Sequence, residues 1–320
     1  MAENSSCVVG VDVGGQTSKI GVVDRDGHVL ARSIIRSDVY GKDASAFVDA
    51  LAREILSCID SCSKNGDVLG IGVGAPNANY YTGGIKFAPN LKWAADQDVP
   101  FRDMLSAATG GLSVTLTNDA NAAAIGEMTY GAAKGMKNFI MITLGTGVGS
   151  GIVVDGKVLY GHDGFAGELG HVCVEREDGR KCGCGKYGCL ESYCSAMGVA
   201  KTAQQWLQQS SEPSLLRTVE NVSSKDVAEA ASQGDALSLR VLESTGAILG
   251  RSFADFVAFS APQAIVLFGG LTKAKAFFHD AMLRSMNQNL LDIWKGKVQI
   301  LYSQLNESDA AILGASALAW

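Results

Sequence analysis

Between Gly170 and Glu191 the chain reads GHVCVEREDGRKCGCGKYGCLE, a histidine and closely spaced cysteines set just before a glutamate. A HisCys3 set, here His171, Cys182, Cys184 and Cys189, satisfies the tetrahedral preference of zinc and leaves no position open for a catalytic water. The pattern therefore predicts a structural zinc. Cys173, in the same stretch, is the one rival ligand, and a loop of free thiols without metal is the alternative for so short a motif.

Glu168 lies three residues before His171 and Glu191 two residues after Cys189, so closing the loop round a metal draws both carboxylates together. Ionised glutamates only accept hydrogen bonds and sugar hydroxyls donate them, which suits the pair to vicinal hydroxyls. An imidazole that binds metal through one nitrogen keeps the other for a hydroxyl, so His171 can serve both.

Two glycine turns offer phosphate chemistry. In the first, Asp12, Val13, Gly14, Gly15, Gln16 and Thr17 follow a β-branched run, and glycine removes the Cβ that would hold an anion away from the backbone amides. The same turn can be only a tight hairpin. The second, from Leu144 to Gly151, places glycine at 145, 147, 149 and 151 with hydroxyls at Thr146 and Ser150. It lacks GxxxxGK[ST], and its hairpin setting argues against a dinucleotide fingerprint. A third turn, Phe268 to Leu271 through Gly269 and Gly270, ends a buried-type strand and could meet a base or ribose, or merely punctuate the strand. Asp12 could hold magnesium through water or hydrogen-bond its own turn.

Between these turns, LTNDANAAAIGE ends a strand and opens an alanine-rich helix, a junction that presents polar groups. Asp119 could be a helix cap; Asn118 and Asn121 beside it exceed what a cap requires. In FAPNLKW, Asn90 sits between Pro89 and Trp93 as an amide on a rigid loop or a plain surface turn.

The elements that must position these residues follow from periodicity. CVVGVDVGG, SKIGVVD and HVLARSIIRS read as three successive strands, with Asp24 to Gly27 as a turn. Phe47, Val48, Leu51, Ile55, Leu56 and Ile59 recur at helical spacing, followed by the strands VLGIGVGAP and VTLTND. NFIMITLGTGVGSGIVVDGKVL repeats the opening pattern of strand, glycine turn, strand, DG turn and strand, a weak internal repeat that suits a phosphate clamp with one loop from each half. The remainder is mainly helical around the strand AIVLFGG. A final apolar helix, with Ser308 as its cap, is expected to return to the first domain.

At 320 residues and a net charge of −6, two α/β domains are the default and neither a nucleic-acid partner nor a membrane surface is favoured. The eight cysteines are expected to be reduced, because MAENSSCVVG has no signal-peptide pattern. No apolar run is long enough to span a bilayer. A cytoplasmic protein is the expectation.

FAPNLKW, NDANAAAIGE, LGTGVGSG, GELGH and CxCx4CxE, in that order, resemble the ROK family of sugar kinases and sugar-responsive repressors, within the actin-like ATPase superfamily. The resemblance implies two actin-like, ribonuclease H-like domains with an interdomain cleft, the smaller from residues 1–117 plus 305–320 and the larger from 118–304. It implies an ATP-dependent kinase forming glucose 6-phosphate, with Mg2+ and a structural Zn2+, as a homodimer. Asn90, Asn118 and Asp119 would bind the O3, O4 and O6 side of the sugar, with Asp119 as base. Glu168, His171 and Glu191 would hold the O1 and O2 side. Gly14, Gly15, Thr17, Gly145, Thr146 and Gly147 would face phosphates, and Gly269 and Gly270 the adenosine. Gln16 stands where the family commonly has Thr, and Asn77 where it usually has Gly. A kinase for N-acetylmannosamine, N-acetylglucosamine or fructose is the near alternative. A repressor of this family carries a helix-turn-helix before the first strand, for which MAENSS is too short.

Overall fold

The computed structural model describes residues 6–62, 66–306 and 308–320. Strand β1 (Cys7–Val13) is buried along nearly its whole length because both of its faces are covered: Val9 and Val11 share a core with Phe47 and Leu51, and Val8 lies with Ile312 and Leu313. It pairs antiparallel with β2 (Thr17–Asp24) and parallel with β4 (Val68–Gly74). β3 (Val29–Arg36) pairs antiparallel with β2, and its burial alternates residue by residue, as an outer strand with one wet face requires. The β2–β3 turn closes as read, with Gly27 at φ +86° and its amide on the Asp24 carbonyl.

Helix α1 (Ala44–Ser61) starts on the carboxylate of Asp43, which accepts from the Ala46 amide at 2.9 Å. Its buried face carries Phe47, Val48, Leu51 and Ile55 from the predicted stripe, whereas Leu56 is exposed. A small antiparallel pair, β5 (Ile85–Lys86) and β6 (Asp98–Val99), follows, then α2 (Phe101–Ala108), β7 (Val114–Thr117) and α3 (Asp119–Tyr130). β7 pairs parallel with β4, which completes a sheet of order β3-β2-β1-β4-β7.

The pattern then recurs. β8 (Phe139–Leu144), β9 (Val148–Val154) and β10 (Lys157–Val158) are followed by the Cys-rich loop, α4 (Glu191–Cys194), α5 (Ala196–Gln209), α6 (Ser224–Ser232) and the long α7 (Ala236–Ser260). β11 (Ala264–Phe268), α8 (Lys275–Asn289) and β12 (Gln299–Tyr302) follow, and the second sheet has the order β10-β9-β8-β11-β12. The repeat read from the two glycine hairpins is thus a repeat of sheet order. The fold is α/β with two mixed five-stranded sheets.

The last helix, α9 (Ala310–Ser316), packs on β1, β2, β4 and α3. It begins one residue later than expected: Ser308 is bound to the side chain of Asn306 and caps nothing, while the Asn306 carbonyl takes the Ala310 amide. A Cβ on Gly72 would lie 1.9 Å from the Ala315 carbonyl oxygen, so only glycine lets the strand and helix meet.

The described residues form two compact units. One comprises residues up to 136, Gly151–Gly167 and Ser303–Trp320; the other comprises Lys137–Ser150 and Glu168–Tyr302. The boundaries expected from sequence, 1–117 plus 305–320 against 118–304, fall elsewhere. α3 stays with the first unit because Gly126 lies against Gly314 of α9, and residues 151–167 join it because Gly151 lies against Ala124 and Asn79 holds the Asp163 carbonyl. Among the described residues no helix is long and apolar enough to cross a membrane.

Candidate functional site

In the first unit the polar junction resolves its own ambiguity. Asn118, not Asp119, is the N-cap of α3: its Oδ1 accepts from the Asn121 amide at 2.7 Å. Asp119 is the first helical residue, with Oδ1 on the Ala120 amide at 2.8 Å. Burial of its carboxyl among protein atoms pushes Asp119 above its ordinary range, against the pull of the Ala120 amide.

Asp12, at the end of β1, is within electrostatic reach of Asp119. Burial raises it to about 6, with Lys19 pulling it down and the charge of Asp119 pushing it further up. Two carboxylates raised by burial, with Asp119 lifting Asp12 further, at the mouth of a glycine turn form a site suited to a hard cation or to a proton.

In that turn the Gly14 amide is bound to the Thr17 carbonyl at 3.1 Å. A Cβ on Gly15 would come within 2.5 Å of the Asn90 carbonyl oxygen, so Gly15 is what allows the turn to approach the FAPNLKW loop. Gln16 and Thr17 are exposed. The loop is no plain surface turn: Leu91 and Trp93 are fully buried, Trp93 stacks on Phe47 at 4.5 Å, and the Ala88 amide reaches the Ala94 carbonyl at 3.0 Å. Asn90 is left exposed on a rigid base. Asn77 has φ +54°, and its Nδ2 donates to the carbonyls of Lys86 and Phe87. Asparagine is the residue that best replaces glycine in this conformation.

In the second unit the Gly145 amide bonds the Gly147 carbonyl at 3.0 Å, and the Gly145 carbonyl accepts from the Ala196 amide at the start of α5. Glu191 is turned onto this loop: its Oε2 accepts from the Val148 amide at 3.0 Å, and a Cβ on Gly147 would meet that oxygen at 2.4 Å. Gly269, at φ +109°, packs against the Leu144 carbonyl. Gly145, Thr146 and Gly270 line one cavity of ≈ 420 Å³, which also takes in Ser224 and Lys225 of α6 and Lys273. The second and third glycine turns of the sequence are therefore walls of a single cavity. Sequence reading missed the α6 wall and both lysines; the capping box Ser223 to Asp226 marks the start of α6, but nothing local shows where the helix lies.

The Cys-rich loop brings one atom each from His171, Cys182, Cys184 and Cys189 within 4.8 Å of one another, a group that can hold a metal ion. His171 presents Nδ1 to Cys182 Sγ at 3.7 Å, and its Nε2 lies 3.9 Å from Glu168 Oε2. Glu191 Oε1 lies 3.5 Å from Cys182 Sγ. The two glutamates thus stand on either side of the His171–Cys182 pair. Cys173 is turned away, with Sγ on the Glu175 carbonyl at 3.3 Å. Burial and the neighbouring thiols raise Cys189 to about 12, so a thiolate there needs a cation to stay ionised.

An α/β protein with two mixed sheets of one strand order, a glycine loop walling a cavity and a His/Cys metal cluster is the class these observations define. The chain belongs to the ROK family, whose sequence profile matches residues 8–320. It is 39% identical over 290 residues to a glucokinase of Halalkalibacterium halodurans, covering 88% of this chain and 84% of that one. It is similar to the solved ROK family glucokinase from Streptomyces griseus in complex with glucose and AMPPNP, at 32% identity and a TM-score of 0.77 over 98% of both chains. It is also similar, at 27% identity and a TM-score of 0.87, to a ROK family transcriptional regulator homologous to the E. coli MLC protein, covering 98% of this chain and 78% of that one.

Proposed function

We propose that this protein is an ATP-dependent hexose kinase that phosphorylates glucose at O6. The observation that carries the reading is the separation of duties at the start of α3: Asn118 caps the helix, which leaves the Asp119 carboxylate free of the capping role and raised in proton affinity. A carboxylate so placed can orient a hydroxyl and accept its proton as phosphoryl transfer proceeds. Asn90 and Asn118 bind the same side of the sugar. Glu168, His171 and Glu191 bind the O1 and O2 side.

The donor occupies the cavity walled by Gly145, Thr146 and Gly270, with Gly147 shaping the loop and Gly269 beside the adenosine. Gly14, Gly15 and Thr17 face the phosphates. The reading takes the two units as actin-like, ribonuclease H-like domains. Asp12 would hold a magnesium ion, which neutralises charge on the transferring phosphates when bound. The HisCys3 set fits a structural zinc with no open position. A cytoplasmic homodimer belongs to the same proposal.

A coupled ADP-release assay over glucose, 2-deoxyglucose, fructose, N-acetylglucosamine and N-acetylmannosamine tests it. Glucose should give the highest kcat/KM. 2-Deoxyglucose should be markedly worse, because a site built to bind a hydroxyl leaves its own polar groups unpaired when that hydroxyl is missing. A preference for either acetamido sugar would move the assignment to another hexose, and no turnover with any of the sugars would remove the kinase.

A further inference from the structure

A second cavity, of ≈ 140 Å³, shares Thr146 with the donor cavity and is lined on its other sides by Lys181, Glu191, Ser192, Met197 and Lys201 among others. Neither lysine is paired with a carboxylate among the described residues. Ser192 is 7% exposed and its hydroxyl has no hydrogen-bond partner among them. A buried hydroxyl left without a partner costs roughly 1–3 kcal/mol, so a partner that completes it is expected.

The donor set of this cavity has one chemistry. The two ammonium groups can only donate and the Ser192 hydroxyl can donate as well, and the space suits a single tetrahedral oxyanion better than a nucleoside. The N-terminus of α5 adds its dipole, although the amides of Ala196 and Gly198 are already taken by the Gly145 carbonyl and Ser195 Oγ. The acidic groups in the wall are Glu191 and the thiol of Cys182, and both are engaged: Glu191 Oε2 accepts from the Val148 amide, and Cys182 Sγ lies on Glu191 Oε1 and beside His171.

We propose that this cavity is a second anion site, binding inorganic phosphate through Lys181, Lys201 and the Ser192 hydroxyl, and that its occupancy weakens binding of the nucleotide across their common wall at Thr146. The coupling follows from charge: two polyanions on opposite sides of one residue repel at short range. The anion site is separate from the proposed donor site, and only the coupling rests on the kinase reading.

The test is calorimetric titration of inorganic phosphate into the full chain, with and without AMPPNP, in wild type, Lys201→Gln and Ser192→Ala, each checked for an unchanged Tm. Wild type should bind one phosphate per chain, Lys201→Gln about tenfold more weakly, and saturating AMPPNP should lower the affinity to a plateau without abolishing it. No binding by wild type, equal affinity in wild type and both variants, or a phosphate affinity that falls without limit as AMPPNP rises would each overturn the proposal. The last result would place the phosphate in the nucleotide cavity. In turnover, phosphate should raise the KM for ATP in wild type and much less in Lys201→Gln, whose KM without phosphate should match wild type. The titration needs no catalysis, so it fails or succeeds apart from the kinase assignment.

Discussion

Asp119 and Asp12 carry the two predictions that belong to single residues. If Asp119 accepts a proton, Asp119→Asn should keep sugar binding within a modest factor and lose on the order of a hundredfold to ten-thousandfold in kcat; a raised KM at near-normal kcat would make it a binding residue instead. A base must be ionised to work, and burial raises Asp119. The acid limb of kcat/KM should therefore lie above the ordinary carboxylate value of about 4. Asp12 allows a separate check on stability. Its folded value of about 6 exceeds the ordinary 3.8, so the folded chain binds the proton more tightly than the unfolded one. The ionised charge therefore costs stability above pH 6, and the cost is relieved as pH falls from 6 towards 3.8. Without magnesium or nucleotide, Asp12→Asn should be more stable than wild type at pH 8 by on the order of 2–3 kcal/mol, and the gap should close by pH 4. A gap that does not change between pH 8 and 4 would mean that the Asp12 charge is not what the fold is holding.

The elements were largely legible from sequence because their signals are local. The stripe of Phe47, Val48, Leu51 and Ile55 placed α1, and β-branched runs placed β1, β2, β4 and β8. What failed to show was set by contacts between distant segments. The two-residue strands β5 and β6 have no periodicity to detect. The cap of α3 depends on which of two adjacent polar residues takes the Asn121 amide, and either type can do so. The α6 wall of the cavity at Gly145 and Gly270 and the turn of Glu191 onto Val148 are long-range geometry. The Cys-rich cluster, by contrast, was readable because its ligands are close in sequence and chemically distinctive. At this scale Gly72→Ala is the telling substitution. The added methyl has no room against the Ala315 carbonyl, so β4 and α9 must separate, with a loss of roughly 1–3 kcal/mol and a lower Tm. A wild-type Tm would show that the α9 contact is not tight in solution.

Across the molecule, the same sheet order appears twice and each copy has a glycine turn after its first strand, and the second unit adds a His/Cys loop that can hold a metal ion. That loop is also held by Arg180 and Glu191. Arg180 stacks on Tyr193 at 4.6 Å and donates to the Ser192 and Gly198 carbonyls and to Thr202 Oγ1, which fixes the loop to α4 and α5. Glu191 ties it to the glycine loop through the Val148 amide. Losing the metal should therefore not release the whole loop; it should loosen His171 and Cys182, and with them the glutamates on either side. Because Glu191 also shapes the glycine loop, the damage should reach the donor as well as the sugar. Cys184→Ser, or a zinc-selective chelator in excess magnesium, should lower Tm and raise KM for both glucose and ATP, with a smaller change in kcat than Asp119→Asn produces. Elemental analysis should find one zinc per chain in wild type and in Cys173→Ser, and much less in Cys184→Ser. If KM for glucose rises while KM for ATP stays at its wild-type value, Glu191 does not couple the metal loop to the glycine loop; an active protein without zinc would remove the metal from the design altogether.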